Sequence, residues 1–462
     1  MNYDISQVKP EIFRACDIRG VVGKTLTPEV AYLLGLSFGT LAKQKNQSQV
    51  VVGRDGRHSG KWLSESLCQG LMDSGCDVID VGQVPTPVVY FATYALNTAT
   101  GIMITGSHNP PDYNGFKMML AGDTLAEKDV EALYHCIQTE QFAKGEGSLI
   151  QKDMIPDYIA RIKQDVKVKR RLKVAIDCGS GVVGTLAETF FSQLGCEVVP
   201  LYCEVDGDFP YHHPDPGQPD NLQDLIKVVI AQKCDLGLAF DGDGDRLGVI
   251  TDQGEIIWPD RVMMLFAADL LQRVPQGKII FDVKCSKLLA SRIRQLGGEP
   301  IMYKTGHALI KREMKRTNAA LSGEMSGHFF FKERWYGFDD GTYAAARLLE
   351  IISQQDKPLS ALFNDIPNSV NTPEINIAIA EEKKFPFIET LKMQHGFKQC
   401  QLITVDGLRA EFEDGWGLVR ASNTTPCLVL RFEADTEQAL KRVQAEFKRA
   451  ILQIAPELQV PF

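Results

Sequence analysis

Three closely spaced aspartates carry the clearest chemical signal in the sequence. Asp241, Asp243 and Asp245 stand in the segment DGDGDR, separated by single glycines and preceded by the apolar run DLGLAF. Side chains two residues apart on an extended chain point to the same side, so three carboxylates can converge there. Such carboxylates repel one another unless a cation lies among them, and an all-oxygen ligand set suits Mg²⁺. The pattern predicts a magnesium site; a solvated acidic turn is the structural alternative.

Two other classes of site begin with a similar acidic pattern. An EF-hand needs glycine at the sixth loop position, where Arg246 stands, and a helix where the sequence predicts a strand, so it is excluded. A haloacid-dehalogenase-like enzyme would use an aspartate as its nucleophile, but it usually has a small hydroxyl residue near the position of Asp245. This departure places a magnesium-dependent phosphatase or phosphotransferase with an aspartyl nucleophile behind a magnesium site without such a nucleophile, but the class stays open as an alternative.

A serine next to a histidine forms a second candidate site. The segment TGSHNPPDYNGFK places Ser107 before His108, with Lys117 ten residues after the serine. It lacks the lysine of a P-loop and contains no G-x-S-x-G elbow, so nucleotide binding and acyl transfer have little support. Alone, the segment is an ordinary turn. Beside a magnesium site the segment becomes a candidate functional site, because a phosphate ester of serine supplies the oxygen ligand that Mg²⁺ prefers.

Two further segments contain groups that suit a phosphorylated sugar. On an extended loop, GEMSGH places a carboxylate and a hydroxyl on one face, where they can hold sugar hydroxyls, beside a histidine that can exchange a proton. RASNTTP offers a guanidinium, hydroxyls and an amide, which match a phosphate monoester. Either segment could instead be a hydrogen-bonded turn without function. The residues concerned are Glu324, Ser326 and His328 in the first segment, and Arg420, Ser422, Asn423 and Thr424 in the second.

A glycine-rich turn raises a different hypothesis. Gly179, Gly181 and Gly184 follow a predicted strand with the spacing of a dinucleotide-binding fingerprint, which would suit an oxidoreductase. The same glycines serve any tight strand-to-helix turn, and we favour that structural interpretation. Arg19 and Lys284 are further cations, and each taken alone indicates no more than a surface charge.

The elements that position these residues repeat one plan. Three times the sequence alternates strands and helices as βαβαβ, and each third strand ends at one of the loops TGSHNP, DGDGDR and GEMSGH. Because ligands of open α/β sheets gather at the carboxyl ends of strands, we expect a site between domains. We predict an α/β protein of four domains around a central cleft: three similar βαβαβ-based domains with mixed or parallel sheets, and a smaller C-terminal α+β domain with antiparallel strands. The predicted ranges are 1–153, 154–255, 256–367 and 368–462.

Composition narrows the classes of partner. A formal net charge of −9 over 462 residues argues against general nucleic-acid or anionic-membrane binding, so an anionic substrate must meet a local cationic cluster. The N-terminus lacks the pattern of a signal peptide, and no apolar stretch reaches the roughly 20 residues of a bilayer span. Eleven cysteines without CxxC spacing suit a reducing compartment. We expect a cytoplasmic monomer or weak dimer.

Five segments in one order resemble a known family. FRACDIRG, TGSHNPPDYNGFK, DGDGDR, GEMSGH and RASNTTP together resemble the α-D-phosphohexomutases, and within them the bacterial phosphomannomutase/phosphoglucomutase subgroup. The resemblance implies reversible conversion of hexose 1-phosphate to hexose 6-phosphate, with mannose and/or glucose as the sugar. It also implies Mg²⁺ as cofactor and a hexose 1,6-bisphosphate as intermediate and activator.

The resemblance also assigns residue roles and names the four domains as phosphoserine, metal-binding, sugar-recognition and phosphate-binding. Ser107 would carry the phosphoryl group, and its phosphate would join Asp241, Asp243 and Asp245 around Mg²⁺. The transferred phosphoryl would be surrounded by Arg19, His108, Lys117 and Arg246. Binding and proton transfer at the sugar would fall to Lys284, His307, Glu324, Ser326 and His328. The non-reacting phosphate would be anchored by Arg420, Ser422, Asn423 and Thr424.

Two positions bear on the subgroup. Cys16 stands where members commonly carry a tyrosine near the ligand, which puts the contact of that residue in doubt rather than the reaction. GEMSGH fits the mannose/glucose subgroup, whereas phosphoglucosamine mutases typically carry GEQSGH and a different C-terminal phosphate loop. Phosphoglucosamine mutase is therefore the alternative within the family.

Overall fold

The protein folds into four β-sheets covered by helices. The computed structural model describes residues 5–423 and 425–462, which form sheets of seven, five, four and six strands. One apolar core includes residues of the first three domains between Val51 and Ile366, a second core lies within the first domain, and another fills the C-terminal sheet domain. The predicted fold class is confirmed, whereas the predicted domain boundaries stay predictions.

The first sheet has the order β1-β5-β4-β2-β3-β7, with β6 paired to β5. Strand β2 is a short apolar run buried on both faces and pairs in parallel with β3 and β4. Helices α1 and α2 pack closely, because a Cβ on Gly35 would lie 2.3 Å from the Leu67 carbonyl oxygen. The elements are β1 (Ile18–Val21), α1 (Pro28–Gln44), β2 (Gln49–Arg54), α2 (Gly60–Asp73), β3 (Asp77–Gln83), α3 (Thr86–Ala95), β4 (Gly101–Ile104), β5 (Tyr113–Leu120), β6 (Asp123–Thr124), α4 (Lys128–Gln138) and β7 (Leu149–Gln151), after 3₁₀ turns at Ile5–Gln7 and Pro10–Ile12.

The second sheet has the order β12-β11-β10-β8-β9. A 3₁₀ turn at Val182–Thr185 precedes the short helix α6. The elements are α5 (Ile155–Asp165), β8 (Lys173–Asp177), α6 (Ala187–Gln193), β9 (Glu197–Leu201), α7 (Gln223–Gln232, after a 3₁₀ turn at Pro219–Leu222), β10 (Leu236–Phe240), β11 (Leu247–Thr251) and β12 (Ile256–Ile257).

The third sheet has the order β14-β13-β15-β16. Its helix α11 is buried along its whole length, so it belongs to the central core rather than to the surface. The elements are α8 (Pro259–Leu270), β13 (Lys278–Asp282), α9 (Lys287–Gln295), β14 (Glu299–Tyr303), α10 (His307–Thr317), β15 (Leu321–Gly323), β16 (Phe329–Phe331), α11 (Gly341–Ser353) and α12 (Leu359–Asn364).

The three motif loops occupy equivalent places in these sheets. Strands β4, β10 and β15 each pair in parallel with the earlier strand beside them. Each of them also pairs antiparallel with the strand that follows its loop. The sheets are therefore mixed, and each motif loop is the connection between two antiparallel neighbours.

The C-terminal sheet pairs antiparallel throughout its described ladders, as predicted. Its Trp416 and Leu418 pack on Val283, just after β13, so this sheet docks on the third domain. Arg409 strengthens the contact by donating to the carbonyl oxygens of Val283 and Cys285 at 2.6 and 2.7 Å. The elements are β17 (Val370–Asn371), β18 (Ile375–Ala378), α13 (Glu381–Gln394), β19 (Gln401–Ile403), β20 (Leu408–Phe412), β21 (Gly415–Ala421), β22 (Cys427–Ala434) and α14 (Glu437–Ile454).

Helices long and apolar enough to cross a bilayer are absent from the part of the chain that the structure describes.

Candidate active site

One cavity of about 410 Å³ is lined by all four domains. It brings together the sequence-predicted residues from five separate segments, and the three aspartates lie completely buried nearby. Thr424, the remaining predicted residue, lies outside the described residues. The predicted residues that line the cavity are Arg19, Ser107, His108, Lys117, Arg246, Lys284, His307, Glu324, Ser326, His328, Arg420, Ser422 and Asn423.

Ser107 occupies a strained turn that aims its hydroxyl at the acidic cluster. Its φ angle is +49°, in the left-handed region, and its backbone N–H donates to Thr105 Oγ1 at 2.7 Å. The hydroxyl donates to Asp241 Oδ2 at 2.9 Å and lies 3.2 Å from His108 Nδ1. Such strain at a non-glycine residue persists only where the surroundings enforce it.

The enforcing group is Arg57, which the sequence analysis did not single out. Its guanidinium donates to the carbonyl oxygens of Ser107 at 2.8 Å, Asn109 at 2.6 Å, Pro110 at 2.6 Å and Tyr113 at 3.0 Å. One planar fork thus binds four carbonyl oxygens of the serine loop and fixes its path.

Asp55 completes this support. Its Oδ2 accepts from Thr105 Oγ1 at 2.8 Å and from the Gly106 N–H at 3.1 Å, and it lies 3.3 Å from Arg57 Nε. Both residues follow β2, beside the strand that leads to Ser107. A charged pair directly after a buried strand is the sequence signal that could have indicated them.

The aspartates converge, but not on an extended chain. The backbone from Asp241 to Asp245 makes a turn with Gly244 at φ +75°, so the expectation of an extended segment is wrong. One oxygen from each of the three carboxylates lies within 4.8 Å of the others. Lys117 Nζ lies 2.7 Å from Asp243 Oδ2 and 2.5 Å from Asp245 Oδ2.

The charge balance of this cluster favours a bound cation. Burial, together with Asp243 and Asp245, raises the pKa of Asp241 well above its usual value. Burial alone would lower the pKa of Lys117, but the aspartates hold that pKa above its usual range. Asp243 Oδ1 is buried without a hydrogen-bond partner, and Asp245 Oδ1 has the His328 imidazole 3.2 Å away. The donor set of carboxylate oxygens therefore fits Mg²⁺, and these two oxygens are where such an ion would be held.

Further cations and imidazoles surround the serine. Arg246 Nε lies 3.4 Å from His328 Nε2, which lies 3.2 Å from Asp245 Oδ1, and Arg19 donates to Asp17 at 2.5 Å. Burial, with Arg246 and Arg19 nearby, holds the pKa of His108 well below its usual value. Burial and Arg246 likewise lower the pKa of His328 to about 4. Both imidazoles are therefore neutral near pH 7.

The GEMSGH loop forms a compact polar group at the cavity wall. Glu324 Oε1 accepts from the Gly306 N–H at 2.7 Å, and Ser326 Oγ lies 2.8 Å from His328 Nδ1. The loop is a turn with Gly327 at φ +95°, not the extended segment expected from sequence. Burial, with Asp282 nearby, raises the pKa of Glu324 to about 8.

Two other predicted site residues, His307 and Ser422, also have polar side-chain partners. His307 Nδ1 lies 3.4 Å from Asp339 Oδ2, and Ser422 Oγ lies 2.8 Å from Thr425 Oγ1. Burial and the nearby Asp17 carboxylate raise the pKa of the Cys16 thiol to about 12, so this thiol is neutral.

Cationic groups of the third and fourth domains face the opposite side of the cavity. Arg420 Nε donates to Asp406 Oδ2 at 2.9 Å, while its Nη2 is buried without a partner. Lys284 Nζ lies 2.5 Å from Glu374 Oε1. The two acidic partners were not predicted, because neither stands in a motif and each is recognised only by its contact.

The glycine-rich turn serves packing. A Cβ on Gly184 would lie 1.9 Å from the Cys203 carbonyl oxygen, and a Cβ on Gly181 would lie 3.0 Å from Gly242 Cα. These glycines let the turn approach the chain just after β9 and the aspartate loop, which favours the structural interpretation over a dinucleotide site.

Comparisons with known proteins agree with this geometry. Sequence models described as phosphoglucomutase/phosphomannomutase α/β/α domains I, II and III match residues 10–144, 156–254 and 258–370, and the C-terminal domain matches 374–450. The chain is 54% identical over 451 residues to a phosphomannomutase/phosphoglucomutase of Pseudomonas aeruginosa, covering 98% of this chain and 97% of the relative. It is 52% identical over 461 residues to a phosphoglucomutase of Neisseria meningitidis, covering 99% and 100%.

A solved structure shares the whole architecture. A phosphoglucomutase/phosphomannomutase family protein from Burkholderia thailandensis superposes with a TM-score of 0.94 at 49% identity, covering 98% of this chain and 100% of that one. The similarity therefore includes the arrangement of all four domains around the cavity.

Proposed function

This chain belongs to the phosphoglucomutase/phosphomannomutase family and is a phosphohexose mutase, and from that premise we propose how its residues carry the reaction. Ser107 carries a phosphoryl group and gives it to the free hydroxyl of a hexose monophosphate. The hexose 1,6-bisphosphate so formed turns around in the cavity and returns its other phosphate to Ser107. The observation that carries this proposal is the Ser107 hydroxyl, 2.9 Å from Asp241 Oδ2 in a cavity that also exposes Arg420.

The serine side of the cavity is suited to phosphoryl transfer. When Mg²⁺ is bound by Asp241, Asp243, Asp245 and the serine phosphate, it neutralises charge on the phosphoryl oxygens. Lys117, Arg246 and Arg19 supply positive charge beside the same position, and positioning plus charge stabilisation is what this chemistry needs. These assignments are supported by the convergence of the side chains.

The opposite side is suited to binding the part of the substrate that does not react. Glu324 accepts hydrogen bonds from sugar hydroxyls, and the Ser326 hydroxyl can donate to them or accept from them. His307 and His328 lie beside these two residues for proton transfer. Arg420, Ser422, Asn423 and Thr424 hold the second phosphate with Lys284. Because this anchor binds only a phosphate, it accepts either end of the bisphosphate, which the reaction requires.

The cofactor, activator, oligomeric state, location and sugar specificity are proposed from the sequence. We infer Mg²⁺ as cofactor, hexose 1,6-bisphosphate as activator, a monomer or weak dimer, and a cytoplasmic location. Glucose and mannose are both accepted, since they differ at one carbon whose hydroxyl the anchor and Glu324 need not bind.

A coupled assay tests the function. With Mg²⁺ and a trace of glucose 1,6-bisphosphate, mannose 1-phosphate and glucose 1-phosphate are expected to give the corresponding 6-phosphates, and glucosamine 1-phosphate far less. Release of inorganic phosphate without isomerisation would instead indicate a phosphatase. Preference for glucosamine would indicate the phosphoglucosamine alternative.

The pH dependence of kcat/KM is expected to follow Glu324. Its pKa of about 8 leaves about one tenth of this carboxyl ionised at pH 7, and the ionised form accepts sugar hydroxyls best. We therefore expect kcat/KM to rise about five- to tenfold from pH 7 to pH 9. Substrate phosphate is already ionised in this range, and the pKa of His328, about 4, lies far below it. The charged groups that act on Glu324 are Asp282, Lys284 and Asp339.

Initial rates at low substrate concentration check this expectation. Glu324→Gln is expected to lower kcat/KM and to flatten the profile between pH 7 and pH 9. An equally steep rise in Glu324→Gln would assign the titration to another group.

A further inference from the structure

An acidic side chain occupies the phosphate side of the cavity. Glu374 immediately precedes β18 and lines the same cavity as Lys284, Arg420 and Ser422. Its Oε1 lies 2.5 Å from Lys284 Nζ, although the two residues are 90 positions apart in the chain. A negative charge at this place is unexpected where an anionic ligand has to bind.

The two partners of this ion pair differ in freedom. The Lys284 side chain is 6% exposed, just past the end of β13, whereas the Glu374 side chain is 38% exposed. Lys284 also has Asp282 as a more distant neighbour, with Nζ 3.8 Å from Oδ2. The lysine is therefore buried and fixed, whereas the glutamate side chain reaches solvent; if Glu374 turns away, Lys284 keeps Asp282 at 3.8 Å.

Arg420 is neutralised in a different way. Its partner Asp406 binds Nε and leaves Nη2 buried and without a partner, so the guanidinium keeps a donor for a ligand. Glu374 instead contacts the ammonium nitrogen of Lys284 itself. A phosphate that approaches Lys284 must therefore displace this carboxylate or tolerate its repulsion.

We propose that Glu374 is a tethered competitor of the substrate phosphate for Lys284, and that it limits how tightly the cavity holds its phosphorylated ligands. The inference rests on the proposed function. It also supplies something that this function needs: a bisphosphate intermediate has to loosen from the anchor to turn around, and uniformly tight binding would not increase turnover. Displacement of Glu374 on binding and its return on release keep the anchor reversible.

Removing the charge of Glu374 tests the proposal. Titration calorimetry with glucose 1,6-bisphosphate, on the Mg²⁺-loaded protein, is expected to give a Kd about three- to tenfold lower for Glu374→Gln than for the unaltered protein, since charge-assisted contacts of this kind are worth about one factor of ten. In turnover, KM is expected to fall by a similar factor while kcat does not rise. Raising the salt concentration should reduce the difference, because screening weakens repulsion between charges near solvent.

Two controls separate this effect from a general change in charge. Glu389→Gln removes a similar carboxylate, paired with Lys392 at 2.7 Å on α13 and outside the cavity lining, and should leave Kd unchanged. Combining Glu374→Gln with Lys284→Gln should abolish the gain, because the competition then has no target.

The outcomes are distinguishable from those that bear on the function itself. Equal or weaker bisphosphate binding by Glu374→Gln, or a gain that persists without Lys284, would overturn this inference and leave the mutase assignment intact. Absence of both bisphosphate binding and isomerisation in the unaltered protein would overturn the proposed function, and this inference with it.

Discussion

Ser107→Ala is expected to lower kcat by about 10⁴-fold or more, because it removes the atom that carries the phosphoryl group between the two sugar positions. The nearest hydroxyl along the chain, Thr105 Oγ1, already donates to Asp55 at 2.8 Å and accepts from the Ser107 N–H at 2.7 Å, so it does not take over the role. Coupled-assay rates and intact mass of the purified protein measure the two consequences. The unaltered protein should carry one phosphate, about 80 Da, that Ser107→Ala lacks.

A matched serine variant separates this role from simple loss of a hydroxyl. Ser326 lines the same cavity and contacts His328, but no phosphoryl group is assigned to it. Ser326→Ala should keep the added mass and lose activity through KM more than through kcat. Retention of phosphate in Ser107→Ala would move the nucleophile to an aspartate and revive the phosphotransferase alternative.

Most residues of the site could be predicted from the sequence, because each motif is a short continuous segment. Ser107, the three aspartates and Glu324 each stand in a loop that directly follows an apolar strand, and topology brings the ends of such strands together. The predicted conformation of two loops was wrong, because Gly244 and Gly327 have positive φ angles and bend segments that we expected to be extended.

Contacts between residues far apart in the chain could not be predicted this way, even where a charged pair after a strand marks a residue such as Arg57. Arg57 lies 50 to 56 positions from the four carbonyl oxygens it binds, and Glu374 lies 90 positions from Lys284. Within helix α1, Gly35 permits close packing against Leu67, a contact that the sequence alone does not indicate. Only the tertiary structure shows what these residues contact.

Asp243→Asn is expected to lower kcat by about 10³-fold or more and to remove the stabilisation of the protein by Mg²⁺. Asp243 Oδ2 accepts from Lys117 Nζ at 2.7 Å and Thr86 Oγ1 at 2.6 Å, whereas Oδ1 is buried without a partner. An asparagine can keep its carbonyl oxygen towards Lys117 and Thr86. Its NH₂ group then replaces the unpartnered oxygen, so packing is preserved and a metal ligand is lost.

Thermal unfolding with and without Mg²⁺ separates metal binding from folding. In EDTA, Asp243→Asn should have a Tm equal to or above that of the unaltered protein, since it removes one of three repelling buried carboxylates; with Mg²⁺ the order should reverse. Asp215→Asn is the matched control: Asp215 lines the cavity 3.8 Å from Arg246 but lies outside the aspartate cluster, so the response to Mg²⁺ should persist. A full response in Asp243→Asn would place the ion elsewhere, with the exposed group of His58, Asp206 and Asp208 as the next site to test. Loss of the response in Asp243→Asn alone would tie the cation to the carboxylates that face Ser107, where phosphoryl transfer needs it.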